Sequence, residues 1–141
     1  MDVEPVVEML EASPYWRHLG IKVRRLEAGY CELYLPFKPE LKQASGLMHG
    51  GAIASLLDAA GGMALLKMLD LEKESITTAE LKVNYLNPTT ADQEEVVARG
   101  RAVKKGKMLG VSLVEIVDAS GTPVAVGLGT YAIIGPWSGR P

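Results

Sequence analysis

One stretch decides the fold: Gly50-Gly51-Ala52-Ile53-Ala54-Ser55-Leu56-Leu57-Asp58-Ala59-Ala60-Gly61-Gly62-Met63-Ala64-Leu65-Leu66-Lys67-Met68-Leu69. Its apolar residues run almost continuously, which predicts one long helix from about Gly50 to Leu69. A helix apolar nearly all round needs burial on most sides. A bilayer would also bury it, but Asp58 sits mid-way, Lys67 lies near the end, and four glycines interrupt the run. A charge at the bilayer centre costs about 2.5 to 3.5 kcal/mol on insertion scales. The stretch therefore reads as the buried helix of a cytoplasmic protein. The start of the chain, Met1-Asp2-Val3-Glu4-Pro5, is acidic where a secretory leader would be basic.

Working outward, Asp2 to Leu10 predicts a short amphipathic helix. Ser13-Pro14 restarts a helical turn, Ser13 as cap and Pro14 at the first position, and Gly20 ends it. Ile21–Leu26 and Cys31–Leu35 alternate apolar with polar residues around a Gly29 turn, the pattern of a hairpin. Beyond the helix, four more strands are expected: Ile76–Leu86, Glu94–Val103, Lys107–Asp118 and Val124–Ile134. Asn87-Pro88, Lys104-Lys105-Gly106 and Ser120-Gly121 separate them. Residues 136–141 read as a frayed tail, and residues 1–141 as one domain with an N-terminal helical segment, 1–19.

There is no strand–helix rhythm in this order, so the class is α+β with a mostly antiparallel sheet. Val96, Ala98, Gly100 and Ala102 share one face of a strand, as do Ala125, Gly127 and Gly129 of the last. Small residues on a face let another element approach closely. A curved antiparallel sheet wrapped around the long helix satisfies both observations.

Composition limits the chemistry. The chain has 141 residues and 15.1 kDa, enough to bury roughly two-thirds of its unfolded surface. Fifteen basic against 17 acidic residues leave a net charge of -2, which argues against a protein built to hold nucleic acid. The single cysteine, Cys31, excludes an intrachain disulfide, makes a cysteine-based zinc site unexpected, and reads as a small packing residue. His18 and His49 are too few for a three-histidine metal site. No metal is expected.

The segment Gln43-Ala44-Ser45-Gly46-Leu47-Met48-His49-Gly50-Gly51 carries the most information about function. Gly50 and Gly51 open the helix, where amide groups lack intrahelical acceptors and the macrodipole is positive. A ligand carbonyl can approach such side-chain-free amides, as in an oxyanion hole; equally, the glycines can simply turn the chain. Asp58 shifts the balance, because a carboxylate on a buried helix is expensive unless paired or opened to a pocket, and burial suits a general base. Eight residues separate Gly50 from Asp58, roughly 12 Å along a helix. Two antiparallel copies would set Gly50 of one chain opposite Asp58 of the other, which predicts a homodimer with two composite sites. His49 suits either a base or a residue that aims the Gly50 amide, and the second role is favoured. Gln43 is a hydrogen-bonding loop residue or a solvated one.

His49-Gly50-Gly51 followed by Asp58 in an Ala/Gly/Leu-rich helix resembles the hotdog-fold acyl-CoA thioesterases, the phenylacetate-pathway and 4-hydroxybenzoyl-CoA group in particular. Thr77 to Leu86 with Pro88 is similar to that family's third strand, Val103 to Lys107 to its basic hairpin, and Val124-Ala125 to Thr130-Tyr131 to its last strand. The resemblance implies a hotdog fold and hydrolysis of an aryl or medium-chain acyl-CoA to acid and CoA, without a cofactor. By the same resemblance the Gly50 amide polarises the thioester carbonyl. The partner chain's Asp58 acts as nucleophile or general base, Gln43 lies near the thioester, and Thr78 places the water. Gly62 falls where some relatives use Thr for that water.

Thr78 alternates with Glu80 and Lys82 rather than with Leu81, so it must sit at a strand end or beside the dimer seam. Gly51, Gly62 and Met63 are further substrate-binding candidates, with Leu65 and Leu66 as possible pocket lining. Lys104, Lys105 and Gly106, with Lys107, either meet CoA phosphates or are solvated. Arg99 and Arg101 form a second basic candidate. Tyr15 and Trp16 read as core cover. Val97 and Leu109 or Val111 suit an interface between dimers in a homotetramer. Two other functions fit the class: a non-catalytic acyl-CoA-binding protein, and a hydratase of enoyl or hydroxyacyl thioesters, whose His–acid pattern is absent.

Overall fold

The computed structural model of the chain describes residues 2–136. Two short helices, α1 (Val3–Ala12) and α2 (Pro14–Leu19), precede a hairpin of β1 (Lys22–Glu27) and β2 (Tyr30–Pro36). The long helix α3 (Gly50–Leu66) follows, then β3 (Ser75–Tyr85), β4 (Glu95–Lys105), β5 (Leu109–Asp118) and β6 (Pro123–Ile134). The six strands form one sheet in the order β1-β2-β4-β5-β6-β3, with antiparallel pairing throughout. This is the expected α+β class. The predicted frayed tail falls, apart from its first residue, outside the described residues.

α3 lies against the sheet through residues chosen for size. Leu56, Leu57, Ala60 and Ala64 are fully buried. A Cβ on Gly100 of β4 would stand 2.5 Å from the Ala60 carbonyl oxygen, so the strand can meet the helix backbone only as glycine. The Cys31 thiol donates to that same carbonyl at 3.0 Å, and Ser112 Oγ donates to the Gly61 carbonyl at 2.8 Å. Burial pushes the Cys31 thiol up to about 12. Leu65 reaches the sheet over Gly110, where a Cβ would come within 2.6 Å of its side chain.

Three boundaries and contacts differ from expectation. α3 ends at Leu66, because the Met68 and Leu69 amides turn back to the Leu65 and Leu66 carbonyls in a tight final turn. Lys104 and Lys105 belong to β4, and the turn is moved to Gly106–Met108, closed by the Gly106 amide on the Leu109 carbonyl. Val97 is covered rather than outward-exposed. The sheet packs on α3 as expected. α1 and α2 supply the remaining cover: Val6 and Leu19 join the core, and the Tyr15 and Ser55 hydroxyls meet at 2.6 Å.

β3 occupies one edge of the sheet. Its residues 77–80 are exposed, and its outer backbone groups face no other strand among the described residues. Among those residues, no helix is long and apolar enough to cross a membrane.

Candidate active site

The mouth of α3 is built by backbone. The loop before it folds back on itself: the Gln43 amide donates to the Leu47 carbonyl, Gly46 turns at φ +90°, and Lys42 bridges to Met48. The His49 and Met48 amides tie the loop to the Leu41 and Thr89 carbonyls. His49 caps the helix, its Nδ1 accepting the Gly51 N–H at 2.8 Å. That bond consumes the Gly51 amide and leaves the Gly50 amide with no acceptor among the described residues. Tyr85 Oη donates to the Gly50 carbonyl at 2.7 Å, its ring packed where a Gly50 Cβ would be 3.3 Å away. Gln43, Gly50 and Tyr85 line a cavity of about 330 Å³. Gln43 Oε1 accepts from the Ser45 amide, so its NH2 group is the half left to meet a ligand. His49 thus has the positioning geometry.

Two turns further along α3, side chains build the site. Thr78 Oγ1 donates to Asp58 Oδ1 at 2.8 Å. Strand alternation alone sets Thr78 with Glu80 and Lys82, away from the Leu81 face, hence the expectation of a strand end or the dimer seam. A register shift between Thr78 and Glu80 in the β3–β6 ladder resolves it, because Thr78 pairs with Tyr131 and Glu80 with Thr130. The extra residue, Ala79, re-aims the strand, as bulges near active sites do. Asp58 is half-buried rather than buried, and opens onto a cavity of about 250 Å³ with Gly62, Met63 and Thr78. Trp16 also lines it, so its role is more than core cover.

Tyr131 was not read as a site residue from the sequence. Its hydroxyl donates to the Asp58 backbone carbonyl at 2.7 Å. The phenol therefore braces the backbone of α3 at the turn that carries Asp58. Gly61 and Gly129 make room, since a Cβ on either would lie 2.1 or 2.4 Å from the hydroxyl. Burial, reinforced by the Asp58 charge, holds the phenol well above its ordinary pKa, so it stays a neutral donor.

The two half-sites do not meet in one chain. Gly50 and Asp58 line different cavities, roughly 12 Å apart along the helix. Lys104, Lys105 and Gly106 line neither, and Lys105 Nζ is committed to Glu74 Oε1 at 2.9 Å. Gly51 serves the cap. Leu66 lines the Asp58 cavity, whereas Leu65 does not.

The sequence profile described as "Thioesterase superfamily" matches residues 45–125, a span that runs from the loop before Gly50 through Asp58 and Thr78 to β6. The chain belongs to the thioesterase superfamily. It is a thioester hydrolase with the hotdog architecture of that family. A Saccharolobus solfataricus protein named "Putative esterase SSO1253" is 32% identical over 133 residues, covering 94% of this chain and 86% of that protein. The medium/long-chain acyl-CoA thioesterase YigI of Escherichia coli is 27% identical, with 85% of each chain covered. Among solved structures, a thioesterase family protein from Silicibacter pomeroyi superposes with a TM-score of 0.85 at 29% identity, over 94% of this chain and 98% of that one.

Proposed function

We propose that this thioester hydrolase cleaves acyl-CoA to the free acid and CoA, at sites completed by two copies of the chain. The observation that carries the reading is the division of labour along α3. A carboxylate is held by Thr78 over one cavity, and an unused amide at Gly50 faces another, too far away to act on the same carbonyl. Pairing the exposed β3 edges about a two-fold axis would satisfy their free backbone groups and bring each Gly50 towards the partner subunit's Asp58.

The chemistry then needs no cofactor. The Gly50 N–H donates to the thioester oxygen and stabilises the developing oxyanion, aided by the positive helix end. Asp58 takes a proton from water as the water oxygen bonds to the carbonyl carbon. The tetrahedral intermediate collapses, the C–S bond breaks, and the CoA thiolate receives that proton. Lys104 and Lys107, which are exposed, are available for CoA phosphates.

Thiol release from acyl-CoA measures the reaction. Asp58→Asn and Gly50→Pro should each be inactive. Mixed and re-assorted at equal amounts, half the dimers would be hybrids with one intact site each, restoring about a quarter of wild-type activity. No recovery in verified hybrids would sink the composite site, and full activity in Asp58→Asn would sink the mechanism.

A further inference from the structure

A water that attacks a thioester has to be held as well as deprotonated, and the side chains around Asp58 leave one donor for that task. Asp58 and Trp16 line the same cavity. The other side-chain donors that line it are Thr77, Thr78 and Tyr131. A hydroxyl carries one proton. Thr78 spends its proton on Asp58 Oδ1, and Tyr131 spends its own on the Asp58 carbonyl. Thr77 stands beside Thr78 in regular strand pairing, so its side chain leaves the strand on the opposite face. The Trp16 indole N–H remains. It meets no acceptor among the described residues. Trp16 is half-buried, and among those residues the sealed polar side-chain atom without a partner is Thr89 Oγ1, so the indole nitrogen is open to a small molecule.

α2 is fixed at the height of the carboxylate. Ser55 Oγ donates to the Gly51 carbonyl at 2.8 Å, so in its 2.6 Å contact with Tyr15 the phenol is the donor. Ser55 lies three residues before Asp58, roughly 4.5 Å along α3, whereas Leu66 lies roughly 12 Å beyond it. Trp16 adjoins Tyr15, and its carbonyl accepts the Gly20 and Ile21 amides, which locks the end of α2. Trp16 is therefore held beside the Asp58 turn, on the side towards the mouth of α3.

We infer that Trp16 is a further catalytic residue, whose indole N–H donates to the oxygen of the attacking water while Asp58 takes the water's proton. This rests on the thioesterase reading above. One O–H of the water points at Asp58, and one lone pair points at the carbonyl carbon. A donor on the second lone pair fixes the direction of the first, and such orientation lowers the barrier. A carboxylate only accepts, so Asp58 cannot supply that bond. An indole N–H is neutral and donates only, so it holds the water without competing for its proton.

The test is thiol release from butyryl-, octanoyl- and phenylacetyl-CoA, read as the single-turnover rate and KM. The wild type is compared with Trp16→Phe and with protein carrying 3-benzothienylalanine in place of Trp16, where sulfur replaces the N–H and the ring shape is kept. Both should lose about five- to tenfold in rate, the worth of one neutral hydrogen bond. The factor should be the same for all three acyl groups, with KM unchanged and a pH profile of unchanged shape, because the indole does not titrate. The isostere keeps the packing and decides the matter should Trp16→Phe fail to fold. A loss below about twofold in the isostere, or a loss confined to KM or to one acyl group, would overturn the inference while leaving the thioesterase intact. No thiol release by the wild type from any of the three would overturn both.

Discussion

The mouth and the middle of α3 are built from different materials. At the mouth the group proposed to work is the Gly50 backbone amide, beside the His49 cap on Gly51 and the Tyr85 hydroxyl on the Gly50 carbonyl. Two turns on, it is a carboxylate that accepts from Thr78, on a turn whose backbone carbonyl accepts from Tyr131. A backbone donor is indifferent to most side-chain changes, whereas a carboxylate is lost with one. The mouth should therefore respond to changes in backbone chemistry, and the middle to changes in side-chain chemistry.

The largest expected effect comes from Asp58→Asn, a loss of about 10²- to 10⁴-fold in kcat. A loss below tenfold would move the base elsewhere. Gly50→Pro is the matching test at the mouth. Proline is tolerated at the first helical position, and His49 already has the extended backbone that precedes proline, at φ -62° and ψ 135°. The helix should persist while kcat falls about 10²- to 10³-fold, the usual loss for one oxyanion donor. Gly50→Ala keeps the amide and should lose far less, needing only a small shift of the Tyr85 ring. Equal losses in the two variants would mean that crowding against Tyr85, not the amide, is responsible.

Tyr131→Phe should follow, with kcat down by about tenfold and KM little changed, because the turn holding Asp58 loses the hydroxyl that braces its carbonyl. An unchanged kcat and pH profile would make the tyrosine a packing residue only. The smallest effect concerns alkaline pH. The unfolded thiol ionises near about 8.5, but Cys31 in the fold does so only at about 12. Between those values the unfolded state binds fewer protons, so stability falls by about 1 kcal/mol per pH unit as pH rises. Cys31→Ala should flatten that slope in urea melts, and native protein should not react with a thiol reagent at pH 8. This keeps Cys31 silent in the thiol-release assay.

Much of the site was legible because the chemistry is rare in its context. A carboxylate in an apolar helix and two glycines at a helix start stand out against the background in any reading of the chain. Thr78 was found through family likeness, while strand alternation alone set it with Glu80 and Lys82, since one extra residue in a ladder inverts every later face. Trp16 and Tyr131 look like core aromatics in sequence. Only their neighbours, an open cavity beside Trp16 and the Asp58 carbonyl beside Tyr131, give them other roles.

The sequence by itself determined the elements, their order, the class, and which two positions on α3 carry the candidate chemistry, because periodicity and rare residue types are local properties of the chain. The tertiary structure decided that Thr78 reaches Asp58, that the Tyr131 hydroxyl reaches the Asp58 carbonyl, and that the N-terminal helices wall the cavity. Each of those depends on side chains 20 to 73 residues apart, or on separate helices, brought within contact by the packing of the sheet on α3. Local pattern does not encode such a meeting; the close approach that Gly61, Gly100 and Gly129 permit does.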